Sequence, residues 1–151
     1  MTEIRTATES DIPRLRELYD QLALGGSADE KQQGEPAGNY SRAFSDINAL
    51  PGCEVIVAEE KGRIIGTAML MIVPNLTHGA LPWAIVENVV VDSDSRGTGA
   101  GKLLMEYISE KSRKAGCYKI QLMSDKRRNE AHKFYQAIGY NATAEGFRLY
   151  L

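Results

Sequence analysis

The sequence predicts an α/β (α+β) fold, and three observations carry that prediction. Ile12, Leu15, Leu18, Tyr19 and Leu22 recur at helical spacing and mark one face of an amphipathic helix. Two β-rich runs, residues 53–60 and 63–73, are joined by Lys61-Gly62, the pattern of a hairpin. Further on, the β-branched run Val89-Val90-Val91 leads to a glycine-rich turn and then to a second stretch of helical periodicity. With 151 residues, 43% hydrophobic and 25% charged, the chain is long enough for one sizeable core and short for two, so a single domain over residues 1–151 is expected.

The elements follow in order. A short strand is expected near residues 4–7, and Thr8-Glu9-Ser10-Asp11-Ile12-Pro13 then supplies hydroxyl and acidic caps with proline in the first turn of the first helix. Residues 25–38 are polar and glycine-containing and read as a loop, and Tyr40, Phe44 and Ile47 suggest a second helix before Pro51-Gly52. After the hairpin, residues 74–82 form a turn-rich excursion that returns as a strand over residues 84–91. From Gly99, the residues Leu103, Leu104, Tyr107, Ile108 and Lys111 set a third helix that stops before Gly116. A strand over residues 119–123, a helix containing Tyr135 and a final strand over residues 147–151 complete the order.

Composition excludes several classes of function. A formal charge of −2 argues against a general nucleic-acid binder, so any anion site must be local. The longest apolar run, residues 68–73, is far too short to span a bilayer, and Met1-Thr2-Glu3-Ile4-Arg5 lacks an apolar core after its charge, so a cytoplasmic protein without a membrane partner is expected. Cys53 and Cys117 make neither a metal site nor a disulfide framework and read as reduced core thiols, with no metal expected.

The segment Val89-Val90-Val91-Asp92-Ser93-Asp94-Ser95-Arg96-Gly97-Thr98-Gly99-Ala100-Gly101-Lys102 reads as a pyrophosphate cradle. Alternate glycines let the backbone curl closely around an anion, and their N–H groups add to the positive end of the following helix. A P-loop would need glycine at Arg96 and a hydroxyl at Leu103. A dinucleotide fingerprint would need its third glycine at Lys102 or Leu104. What remains is R-x-x-G-x-G, directly after a strand and before an amphipathic helix.

At this point the chain resembles the GNAT superfamily of N-acetyltransferases, whose acetyl-CoA loop carries [Q/R]-x-x-G-x-[G/A]. A second segment, Arg128-Asn129-Glu130-Ala131-His132-Lys133-Phe134-Tyr135-Gln136-Ala137-Ile138-Gly139-Tyr140, resembles the family's second signature, a short helix ending in Tyr followed by a Gly-aromatic turn. The resemblance covers nearly the whole chain. It implies a mixed, mostly antiparallel sheet splayed at its middle and flanked by about four helices. It also implies acetyl-CoA as cosubstrate, a small-molecule amine acceptor lined by residues 25–40 and 74–82, and a homodimer as one form of assembly.

The family's residues carry over by position. Arg96, Gly97, Thr98, Gly99, Gly101 and Lys102 would hold the pyrophosphate, and the backbone of Val89 and Val91 would pair with the pantetheine arm. Many members place Asn where this chain has Arg128, a departure from the motif; Asn129, one step out of register, is the candidate for a contact to the cofactor. Lys126-Arg127-Arg128 is a candidate for the 3′-phosphate, against the alternative of a solvated basic run.

Acetyl transfer to an amine also requires proton movement, because an aliphatic amine has a pKa near ~10 and is mostly protonated at neutral pH. Glu87 is the candidate base, directly or through water. Strand alternation from Glu87 predicts its side chain on the same face as those of Val89 and Val91, and its apolar neighbours make a carboxylate there costly without a purpose. The competing reading is an ion pair at the sheet surface. Tyr135 matches the family's proton donor to the departing thiolate, against the alternative of a core aromatic beside Phe134, and Tyr140 reads as packing.

Direct transfer in a ternary complex follows, since a covalent acetyl-cysteine would need an activated thiolate that nothing in the sequence indicates. The alternatives are a non-catalytic acetyl-CoA-binding module, and a protein N-terminus or lysine as acceptor. The R-x-x-A-H-x-F-Y segment resembles aminoalkylphosphonate acetyltransferases, whereas Gly116-Cys117-Tyr118-Lys119-Ile120 resembles glucosamine-6-phosphate N-acetyltransferases. His78, in the excursion before the Glu87 strand, and His132, three residues before Tyr135, are the two histidines with a possible site role.

Overall fold

The Lys61-Gly62 hairpin forms where the sequence places it, joining β2 (Cys53–Glu60) to β3 (Arg63–Val73). Both turn residues are left-handed, φ 50° at Lys61 and 77° at Gly62, the backbone that a two-residue hairpin turn requires. In this computed structural model, residues 1–22 and 38–151 are described, and the chain divides into two compact units, Met1–Gln121 and Leu122–Leu151. Residues 25–37 of the predicted acceptor-side loop lie outside the described residues.

In the first unit, β1 (Thr2–Thr6) adds to β2 and β4 (Trp83–Val91) adds to β3, all antiparallel. Beyond β4 comes β5 (Ile120–Leu122), giving the order β1-β2-β3-β4-β5. The bonds from Tyr118 N–H to the Pro82 carbonyl and from Ala84 N–H to the Lys119 carbonyl, both 3.0 Å, advance together along the two segments, the sense of a parallel pair. The sheet is therefore mixed and mostly antiparallel. With three residues against nine, β5 covers only the first part of β4.

Helix α1 (Ile12–Asp20) follows a short 3₁₀ turn, Glu9–Asp11, that opens on a Thr8/Asp11 capping box, and it has Pro13 in its first turn. Arg5 and Thr8 hold the Asp11 carboxyl below the usual carboxylate range, the Arg5 hydrogen bond being the main cause. Leu15 and Leu18 from α1 and Phe44 from α2 (Tyr40–Ala49) pack with Val55, Val57, Ile64 and Val90 on one face of the sheet. Helix α3 (Ala100–Lys114) buries Leu104, Met105 and Ile108. Gly66 shows that α3 covers the other face, because a Cβ there would lie 3.2 Å from Leu104 Cδ1 and 3.5 Å from Val91 Cγ2.

Two readings of the chain need correction. The strand predicted over 119–123 shortens to Ile120–Leu122. Residues 147–151 form no strand: Phe147 and Leu149 are 87% and 85% exposed despite the alternating pattern. Alternation specifies which side chains would share a face, but a strand also needs a neighbouring edge to bond, and no ladder partner for 147–151 exists among the described residues.

Candidate active site

The predicted site residues of the first unit lie along the second half of β4 and the turn that leads into α3. Register between β3 and β4 decides where each side chain points. Glu87 pairs with Met69, and Val91 pairs with Gly66. Val90 pairs with Thr67, so between Glu87 and Val90 the strand β4 carries one residue more than β3, a β-bulge that sets Asn88 and Val89 opposite Ala68. Asn88 takes φ 54°, the left-handed region that asparagine tolerates better than most residues.

The bulge overturns the alternation argument for Glu87. Met69 and Thr67 pair with Val55 and Val57, so Glu87 and Val90 share the face beneath α1 and α2, while Val91 beside Gly66 belongs to the α3 face. A one-residue slip exchanges the two faces of a strand. Glu87 is half-buried, as are Val89 and Val91, and the signal that could have revealed the slip is Asn88, a residue tolerant of left-handed backbone inside a run of strand formers. On the Glu87 face, among the side chains packed with Val55, Val57 and Val90, burial pushes the Tyr19 phenol above its ordinary value.

The turn after β4 is shaped for an anion. Asp92 ends the strand, with its N–H on the Ile65 carbonyl at 2.8 Å, and Thr98 closes the turn by donating its hydroxyl to the Ser95 carbonyl at 2.6 Å. Gly97 and Gly99 take φ 77° and 93°, and a Cβ on either would meet nothing within 4 Å, so the space before them is open. Gly99 is the N-cap of α3, whose first-turn N–H groups at Ala100, Gly101 and Lys102 have no intrahelical acceptor by the geometry of any helix start. Converging donors, open approach and the positive helix end together fit a pyrophosphate. Arg96 is exposed and turns its Nε to the Val91 carbonyl at 3.3 Å, and Lys102, 65% exposed, pairs with Glu106 at 3.7 Å, a weak surface interaction.

Sequence reasoning missed what fixes this turn. The Asp92 side chain is 4% exposed and ion-paired with Arg14 and, at 3.0 Å, with Arg63. Asp94 N–H at 3.2 Å, Arg14 and the Gln21 side chain hold its carboxyl below the usual range, the Asp94 amide contributing most. Arg14 and Gln21 are seven residues apart at the two ends of α1, a spacing that puts them on one face.

In the second unit, α4 (Asn129–Ala137) carries Tyr135. Gly139, at φ 99°, ends this helix: its N–H bonds the Gln136 carbonyl at 3.1 Å while Tyr140 N–H bonds the Tyr135 carbonyl at 2.9 Å. That pair of bonds is a Schellman motif, whose usual apolar contact is here the Tyr135–Tyr140 ring pair at 5.9 Å. The Gly-aromatic turn thus sets the ring of Tyr135 from one side, and Phe134 lies 5.3 Å away. His132 donates Nε2–H to the Asp125 carbonyl at 2.8 Å, so it ties down the turn before α4. Asp125 also takes Arg127 Nε at 2.9 Å, which engages part of the basic run, and Asn129 stands exposed at the first position of the helix.

Elsewhere in the first unit, His78 is exposed, accepts or donates at Thr77 Oγ1 over 3.0 Å and stacks on Tyr118 with ring centroids 4.1 Å apart. Cys53 and Cys117 are free and half-buried, and burial raises both thiols, the opposite of what an acyl-accepting thiolate needs.

Comparison with known proteins places this geometry. The family model described as "Acetyltransferase (GNAT) family" matches residues 14–140. The glucosamine 6-phosphate N-acetyltransferase of Trypanosoma brucei brucei is 34% identical over 150 residues, covering 97% of this chain and 94% of that protein. The aminoalkylphosphonate N-acetyltransferase of Salmonella typhimurium is 31% identical over 66% of each chain. The crystal structure of glucosamine-6-phosphate N-acetyltransferase from Arabidopsis thaliana superposes with TM-score 0.82 at 27% identity, over 99% of this chain and 98% of that one. With an anion-shaped turn between β4 and α3 and a family match spanning most of its length, the chain belongs to the GNAT family and is an acetyl-CoA-dependent N-acetyltransferase.

Proposed function

We propose that this enzyme acetylates the primary amine of a small, phosphate-bearing amino sugar, glucosamine 6-phosphate being the first candidate, by direct transfer in a ternary complex. The observation that carries the acceptor is the 34% identity over 97% of the chain to an enzyme of that name. Acetyl-CoA supplies an activated thioester. The N–H groups of residues 97–102 receive its pyrophosphate, with Arg96 and Lys102 adding positive charge, and the backbone of Val89 and Val91 aligns its pantetheine arm. Asn129 is proposed as a further cofactor contact.

Glu87 takes the proton that the acceptor nitrogen must lose, directly or through water. Its side chain faces the α1/α2 side of the sheet. The Tyr135 hydroxyl gives a proton to the departing sulfur. Raised cysteine thiols support direct attack over an acetyl-cysteine route. The same proposal takes the chain as one acetyltransferase domain over residues 1–151 and as a cytoplasmic homodimer.

The test is a panel of amines assayed by thiol release, with the products weighed by mass spectrometry. Glucosamine 6-phosphate should exceed glucosamine, 2-aminoethylphosphonate and N-terminal or lysine peptides in kcat/KM by at least about tenfold. Initial-rate lines should intersect when both substrates are varied. Preference for a peptide, or parallel lines with acetylated Cys53 or Cys117, would overturn the acceptor or the mechanism respectively.

A further inference from the structure

The point at which β4 leaves the sheet is held by a helix that contributes nothing to the anion turn itself. Arg14 Nε donates to the Ile64 carbonyl at 3.0 Å, and the same guanidinium pairs with Asp92. At the other end of α1, Gln21 reaches the residue after Asp92. Its Oε1 accepts Ser93 N–H at 3.0 Å, beside the Asp92 carboxylate that Arg14 holds. The side chain therefore offers an acceptor to a backbone N–H just past the end of β4, as the carbonyl of a neighbouring strand would. Asp92 is fixed at the same time from β3, by the Ile65 carbonyl on its N–H and by Arg63 on its carboxylate.

We propose that Gln21 and Arg14 are positioning residues for the acetyl-CoA turn: through Ser93 N–H and the buried Asp92 carboxylate they fix where β4 ends, and so where the donors of residues 97–102 stand. This rests on reading residues 96–102 as the pyrophosphate cradle. Only three residues separate Ser93 from Gly97, and the Ser95 N–H bond to the Asp92 carbonyl at 2.8 Å passes the constraint into the turn. A chain released at Ser93 would still enter α3, but its turn would sample positions from which the N–H groups no longer converge. Affinity for the pyrophosphate would then fall, while contacts to the rest of the cosubstrate would be kept.

The experiment compares two donors on the full chain. Gln21→Met keeps the length of the side chain and removes the bond to Ser93 N–H. Its Kd for CoA by calorimetry should rise by about three- to tenfold, the range for one lost hydrogen bond. Its kcat/KM with S-acetylpantetheine, which has the thioester and arm but no pyrophosphate, should stay within about twofold of the parent, since no pyrophosphate contact is at stake. Arg14→Lys, which keeps the charge but cannot reach Ile64 and Asp92 together, should show the same donor-selective loss and serves if the first variant folds poorly. Unchanged CoA affinity in a folded variant, or equal loss with both donors, would overturn the positioning role. A parent enzyme that binds pantetheine as tightly as CoA would instead overturn the cradle reading beneath it.

Discussion

Gly66→Val should destabilise the protein and loosen its hold on the cosubstrate, because Gly66 is where α3 rests on the sheet. A Cβ at this position lies 3.2 Å from Leu104 Cδ1 and 3.3 Å from the Val90 carbonyl oxygen, each tighter than ordinary contact by a few tenths of an ångström. Alanine is near its limit there. The Leu104 methyl is the end of a flexible side chain and can give, and Gly→Ala in a strand returns roughly 0.5–1 kcal/mol of backbone entropy, so Gly66→Ala should change stability by less than about 1 kcal/mol. Valine adds two methyls against a fully buried leucine and a ladder carbonyl, and overpacking of this kind costs about 1–3 kcal/mol. For a chain of this size that corresponds to a fall in Tm of roughly 2 to 12 °C.

The check is a double-mutant cycle read by urea unfolding, with Trp83 at the start of β4 as the single tryptophan reporter. Leu104→Ala alone should cost about 2–5 kcal/mol, since the side chain is 0% exposed. Combined with Gly66→Val, the new methyls occupy the emptied space, and the pair should cost less than the sum by at least about 0.5 kcal/mol. The Kd for CoA should rise in Gly66→Val and return toward the parent in the pair, as α3 resettles with its N-terminus beside Gly99. Strict additivity, or an unchanged Tm in Gly66→Val, would refute the claim that this glycine sets the seat of α3.

Glu87→Gln preserves size but cannot take a proton, so turnover should fall by roughly 10²-fold near pH 7 and recover toward high pH, where more of the acceptor is already unprotonated; an unaltered pH-rate profile would leave Glu87 a structural residue. Tyr135→Phe keeps the ring that packs on Tyr140, so CoA affinity should persist while kcat drops by ~10- to 10³-fold; equal single-turnover rates would assign the proton to water or the acceptor. The depressed Asp92 carboxyl contributes stability that is present above the unfolded carboxylate value of ~4 and is lost as pH falls through its lower folded value. Acid titration of Asp92→Asn by circular dichroism should therefore show a lower plateau near pH 7 and a shallower decline below pH 4 than the parent.

The sequence by itself determined whatever depends on neighbours along the chain. The hairpin at Lys61-Gly62, the periods of α1 and α3, and the glycines that must adopt positive φ at the anion turn are local facts, legible because backbone sterics and periodicity act over a few residues. Gly139 likewise announces the end of α4, and the ring contact that follows it is built into the same motif. Only the tertiary structure decided which face Glu87 occupies, because face is a property of pairing, and one extra residue at Asn88 reverses it without altering the apolar pattern on either side. It also decided that Phe147 and Leu149 stand exposed, since a strand exists only where another edge accepts its hydrogen bonds. The anchoring of the anion turn by Arg14 and Gln21 was hidden for the same reason: Asp92 lies 78 residues beyond Arg14, and nothing in a one-dimensional pattern shows which distant charge a buried carboxylate will meet.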